Sequence, residues 1–265
     1  MWRFSFFLLI CVSTLRATAQ LIYTESFTPL PYDSTKCVIG SVSGSIQSQK
    51  QKNVFFQFSE RADLSMRFRH HYAFTVANSF DIIRDGNKTV LSGGYIFGRF
   101  YRHISKPVSV MYFGQYQWFA IRGLDQRMSG GPNLFFRLIS QKKQTLHAGA
   151  GVMAEYEKWN YNAVSAEKRP AVINPVEVLS TRWNTFVSYD IDVTDVFSID
   201  AALYYQTGFV PGFERTRIGT HTRFGWKISR HLRLFSELYT LYEYKTVVPI
   251  DPLWYRVNTN LSYYF

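Results

Sequence analysis

The chain has 265 residues, with 30 Lys and Arg against 19 Asp and Glu, a formal net charge of +11 and an aromatic content of 18%. That length allows one large or two small domains. Beyond the N-terminal stretch it contains no apolar run of the roughly eighteen residues that a membrane helix needs, which excludes a helical membrane protein.

In chain order, residues 1–19 read as a signal peptide: Arg3, an apolar stretch from Phe4 to Val12, and Ala17-Thr18-Ala19 before the expected cleavage. Its removal leaves Cys37 without an intramolecular partner and, with Arg3 and Arg16 gone, a net charge of about +9. The export signal makes nucleic acid an improbable partner, so the positive charge points to anionic headgroups, phospholipid or lipopolysaccharide. Residues 20–36 hold two prolines and no sustained alternation, a periplasmic lead-in. Residues 37–265 then divide into twelve alternating segments: 37–47, 53–66, 71–83, 88–101, 107–121, 126–140, 144–157, 178–191, 196–207, 214–228, 232–245 and 254–265. Each is long enough to cross a bilayer as a tilted strand, for which about 9 to 11 residues suffice. The connections after even-numbered segments are brief, and four of those five turns are basic. The odd-numbered set includes the long 158–177 segment, the 208–213 connection and 246–253, with a tight turn at Asp85-Gly86-Asn87. Short turns inside, longer loops outside and an even strand count describe an all-β, antiparallel transmembrane β-barrel of the bacterial outer membrane.

Alternation assigns the faces. In the tenth segment Ile218, Thr220, Thr222, Phe224, Trp226 and Ile228 face one way, while Arg217, Gly219, His221, Arg223, Gly225 and Lys227 face the other. Charges facing lipid are costly at mid-membrane depth, so the charged face is the lumen. Glu60 breaks the rule by falling in line with Phe56, Phe58, Ala62 and Leu64, which predicts a bulge or a changed register there. Counting outward from the turn at 229–231 sets Arg223 opposite Glu237, Arg217 opposite Glu243, and Gly225 and Gly219 opposite Phe235 and Leu241. Counting from 141–143 sets Arg127 opposite Glu157 and Phe135 opposite Gly149. With Arg256 on the inner face of the last segment, these residues form the expected lumen ion-pair network.

Gly40-Ser41-Val42-Ser43-Gly44-Ser45 in the first segment, Gly123-Leu124-Asp125-Gln126-Arg127 opening the sixth, and Gly149-Ala150-Gly151 with Tyr156 in the seventh resemble the salt-induced outer-membrane proteins, domain of unknown function 481. The resemblance covers about residue 36 onward and implies outer-membrane residence with no established activity. Tyr263 and Phe265 resemble the signal that the outer-membrane assembly machinery reads.

A search for chemistry gives no catalytic, cofactor or metal residues. His103-Ile104-Ser105 falls in a turn rather than on a lipid-facing wall, where a barrel lipid hydrolase needs its His and Ser. His147 and His221 point into the lumen among Arg, Gly and Glu, and His70-His71 lacks the ligand spacing of a zinc site. The sequence therefore predicts an envelope protein with at most narrow small-solute conductance. A passive channel for small anions is the alternative, and a lipid-modifying enzyme a distant third.

Overall fold

The computed structural model describes residues 37–50, 54–68, 71–85, 88–105, 107–209 and 215–264. The predicted signal peptide and lead-in, the Gly86-Asn87 turn, His70 and Phe265 lie outside them. Twelve strands follow in order: β1 (Val38–Lys50), β2 (Val54–Phe68), β3 (Tyr72–Asp85), β4 (Lys88–His103), β5 (Val108–Phe119) and β6 (Leu124–Gln141). The second half comprises β7 (Gln144–Trp159), β8 (Val176–Asp192), β9 (Phe197–Gly208), β10 (Arg217–Lys227), β11 (Leu232–Glu243) and β12 (Leu253–Tyr264). Each strand pairs antiparallel with its chain neighbours, and β1 meets β12 to close the barrel. Single 3₁₀ turns at Ala120–Arg122 and Ala166–Lys168 interrupt the connections at one end only. We call this the loop end, and the opposite one, with brief reversals such as 142–143 and 228–231, the turn end.

The strands form because side chains alternate between two environments, and burial follows that period. On β8, Arg182, Asn184, Phe186 and Ser188 are buried inside, while Trp183 and Val187 are exposed outside. Leu134, Leu203, Ile218, Leu238 and Leu261 likewise stand exposed on the outer wall. Aromatic pairs mark its margins: Tyr72 stacks on Phe100 at 5.6 Å and Phe197 lies tilted against Trp226 at 5.4 Å towards the turn end, and Trp118 lies 5.8 Å from Tyr116 towards the loops. A sheet that returns from β12 to β1 closes the wall on itself, and an apolar outer band between aromatic girdles fits the bilayer. The chain is a multi-pass barrel of the outer-membrane type.

Two departures from expectation stand out. At Glu60 the register is unbroken against both β1 and β3, so the expected bulge does not occur. Glu60 instead stays on the outer wall, where the Asn78 amide donates to both its carboxylate oxygens at 3.0 Å. The register shifts lie elsewhere, between Gln117 and Phe119, beside Leu124, between Arg137 and Ile139, and between Ile83 and Arg84. The first two sit next to the 3₁₀ turn and re-aim the chain into the mouth of the barrel.

Candidate lumen site

The inner face of the barrel is filled rather than hollow. At the loop end, five arginines and three glutamates form one buried layer. The hairpin of β6 and β7 brings Arg127 Nη2 to 2.6 Å from Glu157 Oε1. The hairpin of β10 and β11 brings Arg217 Nε to 2.8 Å from Glu243 Oε1. Glu155 joins the two, lying 3.0 Å from Arg217 Nη1 and 2.8 Å from Arg182 Nε. Arg215 reaches Glu157 at 3.0 Å, and Arg122, from the 3₁₀ turn, reaches Glu243 at 3.1 Å. Strand alternation dictates this convergence, since all but Arg122 and Arg215 sit on inward positions of adjacent strands. Fully desolvated charges are tolerable only when each is paired and hydrogen-bonded. Here every carboxylate meets at least two guanidiniums, and Arg127 also lies over the Trp159 ring at 5.7 Å. Burial pushes the Arg122 pKa below the ordinary arginine value, against the upward pull of Glu243.

Above this layer the connections fold inward as an apolar lid. Val164, Val248, Trp159, Leu124, Phe119 and Ile83 form one buried cluster, with Tyr161 and Ile250 packed against it. Below it the lumen carries a second polar tier. Arg61 donates to Glu237 and to the Tyr239 hydroxyl, both at 3.2 Å, and Arg256 donates to Asp81 at 3.0 and 3.2 Å. Towards the turn end, rings cross the interior in a chain: Tyr101 meets Phe135 at 5.4 Å, Phe135 meets Phe186 at 6.1 Å, and Phe186 meets Tyr204 at 5.6 Å. Glycine placement makes room for them. A side chain at Gly149 would collide with Phe186, and one at Gly225 with Phe235.

Arg127 with Glu157 and Arg217 with Glu243 thus meet as sequence counting predicts, and Arg256 lines the lumen as expected. Arg223 stands opposite Glu237 in register, as counting predicts, and its guanidinium also pairs with Asp200 on β9 and lies over the Phe235 ring at 4.7 Å. Glu237 in turn is held by Arg61 and accepts from Asn260 at 2.8 Å. Asp200 stands opposite Arg223 on the other flank, and counting that second neighbour would have found it. Asp81 escaped notice because its partner is across the lumen, beyond any strand count, and Arg122 because it arrives on a turn. Tyr263 is exposed on the outer wall and stacks on His231 at 5.7 Å. His103 Nδ1 and Ser109 Oγ lie 2.7 Å apart on the lumen side at the turn end, away from the lipid-facing wall.

No protein-family model matches the chain, and no curated protein matches it. Among solved structures, the translocator domain of the autotransporter NalP from Neisseria meningitidis is similar at a TM-score of 0.51 and 8% identity, over 88% of this chain and 89% of that one. A NanC porin gives a TM-score of 0.49 at 8% identity over 86% and 99% of the two chains, and a KdgM porin 0.45 at 10% identity over the same shares. At these identities the likeness is one of fold.

Proposed function

We propose that the protein is an outer-membrane envelope barrel with a closed lumen, conducting at most small solutes. The observation that carries this reading is the double seal at the loop end, an apolar lid over a buried layer of Arg122, Arg127, Arg182, Arg215 and Arg217 with Glu155, Glu157 and Glu243. A water-filled pore would need those groups to face solvent, and all but Arg215 are buried. The resemblance to the salt-induced outer-membrane family agrees with an envelope role without assigned chemistry. Outer-membrane lipids, lipopolysaccharide and the assembly machinery that inserts barrels are the partners this reading implies, and no catalytic group or cofactor enters it. In planar bilayers the purified barrel is expected to give no steady porin-scale conductance; large, stable current steps would overturn the reading.

A second reading, a passive route for small anions, draws on the excess of arginine over glutamate in the buried layer. Liposome swelling with sized neutral and anionic solutes separates the two, since only the second reading expects anion-selective swelling.

A further inference from the structure

The wall is not equally closed all round. β1 runs to Lys50 and β12 begins at Leu253, yet the described pairing between them covers only Ser41–Gly44 against Leu261–Tyr264. Beyond Gly44 towards the loop end, β1 stays in register with β2 as far as Lys50 and β12 with β11 as far as Leu253. The two sheet edges therefore part over the loop-end half of the seam. Ile46 and Val257, the outward residues flanking the parted edges, are both exposed, at 73% and 68%.

Backbone edges at membrane depth are tolerated only where protein or a polar cavity meets their hydrogen-bonding groups. Such a cavity, ≈ 30 Å³, lies directly behind the gap and draws its lining from both seam strands, Ser43 and Gly44 of β1 with Asn258 and Asn260 of β12. A second of ≈ 20 Å³ adjoins it towards the turn end and shares Ser43, Arg61 and Asn260. Along the inner face of β2, the Ser59 Oγ atom in the first cavity and the Asp63 Oδ2 atom in the second are buried without a hydrogen-bond partner among the described residues. Each can accept, so together they ask for donors, and a buried acceptor left unmet costs free energy that a matching ligand recovers.

We propose that the loop-end half of the β1–β12 seam is a lateral portal. Through it a terminal hydroxyl or amine on the head of a lipid-like amphiphile reaches into the lumen cavity while its tail stays in the bilayer beside Ile46 and Val257. Gly44 keeps the threshold low, because even an added Cβ there would meet nothing closer than the Ser59 carbonyl at 3.6 Å. A strand donated by another chain would satisfy the parted edges as well, but it would leave the two inward side-chain acceptors unmet, so the amphiphile is the better fit. The portal is independent of whether the lumen conducts.

The test zips the seam. In a Cys37→Ser background, Ser45→Cys with Asn260→Cys places thiols on the next rung above the Gly44–Leu261 pair. Barrels purified in an ether-headed detergent receive dodecyl maltoside or lysophosphatidylethanolamine, and native mass spectrometry counts the molecules retained. The reduced barrel is expected to keep one amphiphile, oxidation to cut its occupancy about tenfold, and reductant to restore it. The two probes separate a sugar head from an amine head. Ser59→Phe, with the seam untouched, fills the cavity and is expected to cut retention to the same extent, its folding checked by heat-modified gel mobility. Equal retention in the oxidised and reduced states, or dimers in place of bound amphiphile, would overturn the portal. Where the disulfide does not form, the Ser59→Phe result decides alone, unchanged retention refuting the proposal.

Discussion

At the scale of single residues, the buried guanidiniums show how little a pairing in register says about who holds whom. Arg223 has a carboxylate on each flank, Asp200 and Glu237; it pairs directly with Asp200, while Glu237 is also held by Arg61. Exchanging Arg223 and Asp200 singly should lower barrel stability, and exchanging both should restore most of it. The same cycle between Arg223 and Glu237 should restore less, because Arg61 then loses its carboxylate; both cycles are read from urea midpoints in liposomes. In the loop-end layer the stakes are higher because all but Arg215 are buried away from solvent. Arg217→Ala takes the nearest charge from Glu243 and one of two close charges from Glu155 and is expected to destabilise by about 3–5 kcal/mol, whereas Arg127→Met together with Glu157→Met should cost less, since it removes a buried pair whole and strands only Arg215, which reaches solvent. A double variant as damaging as Arg217→Ala would contradict this account of the layer.

At the scale of strands, alternation carried most of the fold because a barrel wall separates two environments at every residue. The twelve segments, the faces of β7 and β10, and the hairpin registers through Phe135–Gly149 and Gly219–Leu241 follow from a period of two and a turn to count from. What stayed hidden has a common physical cause: it depends on neighbours that are not adjacent in sequence. The Arg256–Asp81 pair spans the lumen, and Glu60 was misjudged because its answer, Asn78, lies on the next strand. That outward pair makes its own prediction. Glu60→Leu removes a lipid-facing carboxylate and should stabilise the barrel by about 1–2 kcal/mol. Asn78→Leu, which deprives Glu60 of its donor, should destabilise it. Opposite signs in the two urea titrations are the signature, and a loss in both would mean that Glu60 serves a contact beyond this chain.

At the scale of the whole molecule, closure is layered, and the layers can be separated. Shortening the 163–172 part of the lid to a tight turn should leave the barrel non-conducting in planar bilayers, because the Arg–Glu layer beneath is held by strands rather than by the loop. Steady current in that variant would make the lid the true seal. The origin of each charge in the layer also bears on how the barrel could be built. Two hairpins, β6–β7 and β10–β11, each carry an arginine and a glutamate that pair within the hairpin, so those two charges can enter the bilayer already neutralised. β8 carries Arg182, whose carboxylate partners Glu155 and Glu157 reside on the preceding strand. The arrangement favours growth of the wall from β7 towards β8, and a chain in which Glu155 and Glu157 were both neutral would meet its kinetic barrier at the step that inserts β8.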